Sequence, residues 1–181
     1  GMKVEICVTS VDAAKIAERS GADRLELCSE LAVGGVTPSA GLLQTIRDTV
    51  DIPVHVLIRP RSGDFTYSGD TFSQMLRDIS YCRQLGFDGI VTGCLHTDNR
   101  LDRSGMEILA EACGDLHLTF HRAFDRISDW EAALLDLEAL GVDTILTSGQ
   151  AASALQGLSH LEELVQRAGC GIMPGGGIRL S

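Results

Sequence analysis

The chain has 181 residues, with 15 Lys and Arg against 25 Asp and Glu for a formal net charge of −10, and is 44% hydrophobic but only 4% aromatic. That is the length of one domain, residues 1–181, whose core must be built from Leu, Ile, Val and Ala. The acidic balance and the lack of any Lys/Arg cluster argue against nucleic acid or an anionic membrane surface as partner. No apolar run reaches the roughly 18–20 residues that span a bilayer, and no basic stretch followed by an apolar one marks a secretory signal. Gly1 ahead of Met2 reads as a residue left from expression. Six scattered cysteines read as reduced thiols of a cytoplasmic protein rather than a disulfide framework.

In chain order, a strand at Lys3–Val8 leads to a helix at Val11–Ser20, a strand at Arg24–Cys28 to a helix at Ala40–Val50, and a strand at Pro53–Arg59 to a helix at Thr71–Leu85. The pattern continues with strands at Gly89–Gly93, Leu116–His121, Thr144–Ser148 and Gly171–Pro174, and helices at Arg103–Cys113, Asp129–Leu140 and Leu158–Ala168. Phe72, Met75, Leu76, Ile79 and Cys82 form one stripe of the third helix at the 3.6-residue period. Ser10, Ser39, Asp70 and Ser128 are the predicted helix caps. Gly21, Gly86, Gly114, Gly141 and Gly169 are the predicted helix stops. Three segments echo one another: Gly21-Ala22-Asp23, Gly86-Phe87-Asp88 and Gly141-Val142-Asp143 each precede a strand.

Strict β/α alternation gives a parallel sheet. A doubly wound open sheet has strands that are apolar on both faces, whereas several strands here alternate. Val4, Ile6 and Val8 oppose Lys3, Glu5 and Cys7, and Leu25 and Leu27 oppose Arg24, Glu26 and Cys28. His55 and Arg59 share one face of the third strand, and His117, Thr119 and His121 one face of the fifth. An apolar face towards helices and a polar face towards a shared interior describe a TIM-type (β/α)8 barrel. No Gly-x-Gly-x-x-Gly follows the first strand, which disfavours a Rossmann fold. The alternation provides seven strands, so the barrel lacks its last β/α unit. Either the sequence is truncated, or the first and last strands are edges for another chain or loop to cover, which makes a homo-oligomer one expectation.

Glu5-Ile6-Cys7 and Glu26-Leu27-Cys28 place a Glu-x-Cys at the C-terminal end of each of two neighbouring strands. Neighbouring strands lie about 4.8 Å apart, so inward thiols at one height can share a soft cation such as Cu(I) or Zn²⁺. The plainer alternative is that both are small, inert core residues. A second set lies where barrel enzymes place their active sites: Arg59 and Arg61, then His121, Arg122 and Asp125. Guanidiniums beside a histidine suit an anionic ligand, with Glu26 and His121 as acid–base candidates. The competing reading is a structural ion network with Glu5, Glu26, Asp64 and Asp125. A third set is glycine-rich: Ser148-Gly149 after the sixth strand and Gly175-Gly176-Gly177 after the seventh, where barrels bind phosphate. These residues equally make a flexible turn.

The segments Val4-Glu5-Ile6-Cys7, Gly21-Ala22-Asp23-Arg24-Leu25-Glu26-Leu27-Cys28, Gly34-Gly35-Val36-Thr37-Pro38-Ser39, Ile58-Arg59-Pro60-Arg61, Gly63-Asp64-Phe65, Thr119-Phe120-His121-Arg122-Ala123-Phe124-Asp125, Ile145-Leu146-Thr147-Ser148-Gly149-Gln150 and Ile172-Met173-Pro174-Gly175-Gly176-Gly177 resemble the CutC copper-homeostasis family, from Lys3 to about Ile178. The resemblance implies a cytoplasmic TIM barrel concerned with copper tolerance or handling, with Cys7 and Cys28 matching the cysteines proposed there as Cu(I) ligands. It also implies a further strand and helix after the glycine loop. A barrel enzyme acting on a small anionic or phosphorylated metabolite is the alternative that the polar interior keeps open.

Overall fold

A computed structural model describes residues 3–149 and 157–174. The strands are β1 (Glu5–Val8), β2 (Arg24–Leu27), β3 (Val54–Leu57), β4 (Gly89–Thr92), β5 (His117–Phe120), β6 (Thr144–Thr147) and β7 (Gly171–Pro174). The helices are α1 (Val11–Arg19), α2 (Ala40–Thr49), α3 (Gly69–Leu85), α4 (Arg103–Cys113), α5 (Trp130–Ala139) and α6 (Leu158–Arg167). The seven strands form one sheet in the order β1 to β7, every neighbouring pair parallel. Among the described residues β1 pairs only with β2 and β7 only with β6, as expected of a TIM-type barrel lacking one β/α unit.

The alternation read from sequence separates two compartments. Outward residues Leu25, Val54, Val56, Ile90, Leu118 and Ile145 pack against Ile46, Met75, Ile79, Met106, Leu109 and Leu137 of the helices in one continuous core. Each such burial is worth about 1.5–3 kcal/mol, so this jacket dominates stability. Cys82, Cys94 and Cys113 lie within it. Cys28, Leu57 and Val91 form a separate cluster on the inner face, joined by Cys7 and Leu31.

The three echoing segments have one mechanical job. Gly21, Gly86 and Gly141 sit at φ +90°, +81° and +82°, a left-handed conformation that ends the preceding helix. The aspartate two residues on then accepts a hydrogen bond from the backbone N–H at the start of the preceding strand. Asp23 takes that of Val4 (2.6 Å), Asp88 that of Val54 (2.8 Å) and Asp143 that of Leu118 (2.9 Å). Each carboxylate thereby staples the N-terminal ends of two adjacent strands.

Ser10 and Ser39 cap α1 and α2 as predicted, accepting from the Ala13 and Leu42 N–H groups. Two caps differ from expectation. Helix α3 starts at Gly69, so Ser68 is the cap residue and Asp70 lies in the first turn, where its charge favours the helix dipole. Asp129, not Ser128, caps α5 through the Ala132 N–H. At the end of α6, Ala168 is the cap, and the next residue, Gly169, donates its N–H to Glu138. Two 3-10 turns that periodicity does not reveal, Leu31–Val33 and Arg122–Arg126, shape the C-terminal mouth.

Candidate functional site

Cys7 and Cys28 project from adjacent strands into the lumen, and their sulfurs stand 3.6 Å apart. Strand register explains the meeting. Cys7 pairs with Glu26 and Val8 with Leu27, so Cys28 lies diagonally ahead of Cys7 on the same inward face. Cys28 is buried and Cys7 half-buried. Leu57, Val91 and Leu31 wall the pair. Gly35, at φ +92°, brings its backbone so close that an added Cβ would meet Leu57 Cδ2 at 2.8 Å and Cys28 Sγ at 3.5 Å. A side chain there would have to displace Leu57 from beside Cys28.

Nearer the strands' N-terminal ends the lumen is polar. Arg24 donates from Nε to Glu5 at 2.5 Å and pairs with it through Nη2 as well. Glu26 lies beside them, and burial, reinforced by Cys7 and Glu5, pushes its pKa upward. The His55 and His117 rings stack at 4.8 Å across the bare backbone of Gly89, where a Cβ would strike His55 at 2.6 Å. His117 Nε2 is 3.0 Å from Thr144 Oγ1. Burial holds both imidazoles neutral, His55 with a pKa lowered to about 3.

At the mouth, the arginines, His121 and Asp125 read from sequence divide among three local structures. Arg61 is exposed and bound within its own loop to Asp64, Ser62 and Thr66. Arg59 is buried, with Nη1 on the Val33 and Gly35 carbonyls (2.7 and 3.0 Å) and Nη2 on that of Gly63 (2.9 Å). It clamps the β2–α2 loop to the β3–α3 loop. Arg122 donates to Asp125 (2.8 Å) and Ser148 (2.9 Å), while Asp125 also accepts from the Thr147 hydroxyl (2.5 Å) and the Ser148 N–H and hydroxyl. That network ties the 3-10 turn after β5 to the end of β6, and the Gly149 N–H closes on Thr147 Oγ1 at 3.0 Å. Glu26 and Cys7 lie together, whereas His121 sits at the mouth, its ring 4.8 Å from Phe65. Gly175, Gly176 and Gly177 lie outside the described residues. Sequence reasoning singled out neither Tyr67, buried in the β3–α3 loop, nor the ring contacts of Phe65. Two aromatics in the β3–α3 loop that also carries Arg59 and Arg61 were the available signal.

Over residues 2–181 the sequence matches the profile described as the CutC family. The chain belongs to that family. It is 49% identical to the CutC family protein of Salmonella schwarzengrund (strain CVM19633) over 97% of this chain and 71% of the relative. To that of Yersinia pestis (strain Pestoides F) it is also 49% identical, over 99% of this chain and 72% of the relative. The solved CutC structure from Streptococcus agalactiae superposes with a TM-score of 0.92 at 34% identity, covering 98% of this chain and 89% of that one. Phosphonopyruvate hydrolase, solved with oxalate and Mg²⁺, superposes with a TM-score of 0.68 at 15% identity over 94% of this chain and 66% of its own. That likeness is one of fold. CutC membership makes this a copper-homeostasis family chain, and among the described residues no helix is long and apolar enough to cross a membrane.

Proposed function

We propose that this CutC-family chain is a cytoplasmic copper-handling protein that holds Cu(I) as cargo between Cys7 and Cys28. The single observation that carries the reading is the 3.6 Å approach of the two sulfurs inside the lumen. Thiolates are soft ligands suited to Cu(I). With metal–sulfur bonds of about 2.3 Å, a linear two-coordinate ion needs its sulfurs about 4.6 Å apart, so the pair would part by about 1 Å on taking up Cu(I). Among the described residues no group of three or more His, Cys, Asp or Glu has metal-holding geometry. A two-sulfur grip suits a low-coordinate monovalent ion better than zinc, which takes four ligands in structural sites and three protein ligands in catalytic ones.

The apolar wall of Leu57, Val91 and Leu31 excludes water and competing hard ligands, so it favours a soft ion further. The cysteines beneath the helices do not compete. Burial pushes Cys82 and Cys113 up to about 12, and a thiol that stays protonated is a poor ligand. A reducing compartment keeps the lumen pair from oxidising, which is why the cytoplasm suits it.

The test is a Cu(I) titration of the reduced protein against a competing chelator. The wild type should bind one equivalent, and Cys7→Ser or Cys28→Ser should each lower the affinity by at least about tenfold. Wild-type affinity in the double variant overturns the assignment.

A further inference from the structure

We propose that Arg59, Tyr67 and His121 form a subsite for one oxyanion, a carboxylate or phosphate group of a small ligand, beneath the β3–α3 loop. The site rests on unmet hydrogen-bond donors and an unneutralised charge, and it does not depend on the copper reading. His121 Nδ1 accepts the Ala123 N–H at 3.1 Å. Complete burial, with Arg59 and Arg126 nearby, lowers the His121 pKa to about 3. The ring is therefore neutral and carries its proton on Nε2. That Nε2 is buried and has no acceptor.

Arg59 shows the same deficit. Its two terminal nitrogens are anchored on three backbone carbonyls, which immobilises the guanidinium, yet its Nε is buried and unpartnered. The Tyr67 hydroxyl is buried against Arg59, close enough to interact with its guanidinium but without a well-formed hydrogen bond. All three side chains are more than nine-tenths buried, at 6%, 6% and 5% exposure. Arg59 and His121 are linked through the Phe65 ring, 5.0 Å from the guanidinium carbon and 4.8 Å from the imidazole. Arg126 adds a second cation 4.7 Å from that ring.

The missing groups share one chemistry. Arg59 Nε–H and His121 Nε2–H can only donate, the Tyr67 hydroxyl has a proton to give, and among the described residues no carboxylate forms an ion pair with Arg59. A buried cation needs a counter-charge, and buried donors need acceptors. An oxyanion supplies both, and Arg is the side chain best shaped to receive it. The three atoms are sealed from solvent, so the loop of residues 60–67 must swing aside for a ligand to reach them.

The reduced protein is titrated with sodium phosphate and with sodium acetate, using sodium chloride as the ionic-strength control. Thermal unfolding and the 15N resonance of His121 Nε2 are followed together. The proposal expects a saturable rise in melting temperature and a shifted Nε2 signal with phosphate, acetate or both, which identifies the anion class. Tyr67→Phe deletes only the hydroxyl. His121→Asn keeps an acceptor for the Ala123 N–H while removing the Nε2 donor. Each should weaken binding by about tenfold and leave the circular dichroism and chloride response unchanged. Absence of a saturable response to either anion overturns the proposal, as does an equal response in both variants. So does a Tyr67→Phe chain less stable than wild type in chloride alone, because a hydroxyl whose loss costs stability already has a partner. The Cys7→Ser, Cys28→Ser double variant should keep the full anion response, so failure of the copper reading and failure of this one are separable.

Discussion

The buried imidazoles make a pH prediction with a definite sign. His55 and His121 are neutral in the folded chain, each with a pKa lowered to about 3, whereas an unfolded histidine titrates near 6.5. For His55 the main cause is burial, helped by Arg24 and His117; for His121 it is burial, helped by Arg59 and Arg126. Between pH 3 and 6.5 these two groups therefore bind more protons in the unfolded chain than in the folded one, and their contribution to stability falls as pH falls through that window. At pH 5 the loss relative to pH 8 is about 2 kcal/mol per histidine, set almost wholly by the unfolded value because the folded one lies far below. Two such groups remove about 4 kcal/mol, a large share of a typical domain's 5–15 kcal/mol. His117, lowered in the same direction, adds to the effect.

Urea unfolding at constant ionic strength at pH 8, 6.5 and 5 measures it. Glu26, with a pKa raised to about 8, titrates the other way, because the folded chain binds its proton first; between pH 8 and 5 that offsets about 3–4 kcal/mol of the loss. The histidines are therefore read in Glu26→Gln, whose midpoint should drop by about 2 M over that range at an m-value of about 2 kcal/mol/M. Adding His121→Asn to Glu26→Gln should keep only about half of that slope, since one titrating imidazole is gone. A flat profile in Glu26→Gln, or a double variant as pH-sensitive as Glu26→Gln, refutes the claim that these rings are held neutral by the fold.

Two other substitutions test how the lumen is built. Gly35→Ala forces a side chain to φ +92° and to 2.8 Å from Leu57; strain of about 1–2 kcal/mol and overpacking of about 1–3 kcal/mol should lower the urea-derived stability accordingly. The same variant should weaken Cu(I) binding in the chelator competition, because the displaced loop lies against Cys28. Asp88→Ala leaves the Val54 N–H without its acceptor and removes the Arg47 ion pair, a loss of about 1–3 kcal/mol by urea unfolding. Amide exchange should quicken first at the start of β3.

Much of this was legible in the chain because local rules set it. Period-two alternation placed Cys7 and Cys28 inward, and β1–β2 register completed the meeting. The repeated Gly-x-Asp was visible as an echo, yet its purpose was not, because each aspartate acts on a strand 19 to 34 residues away. The arginines misled for a similar reason. Arg59 and Arg61, two residues apart, end in opposite environments: one clamps two loops from inside and the other lies on the surface. That outcome depends on how residues 60–67 fold back, which no periodicity encodes. Asp129 displaced Ser128 as a cap because adjacent residues of similar capping ability are separated only by the final backbone angle, whereas α3 simply starts two residues earlier than expected, after Ser68.

Strand β4 explains how one lumen holds such different chemistry at its two ends. Its inward residues are Gly89, Val91 and Gly93, and each glycine leaves room for an imidazole from a neighbouring strand: His55 over Gly89, and His121 over Gly93, where a Cβ would meet the ring at 2.8 Å. Val91, between them, packs with Leu57 and Cys28. The order small, large, small thus stacks a polar floor, an apolar belt carrying the sulfurs, and a donor-rich mouth. Because the belt lies between the two polar layers, a soft ion at the sulfurs and an oxyanion at Arg59 do not share ligands. Copper handling and anion binding in this fold are therefore chemically compatible, and a variant that abolishes one should leave the other measurable.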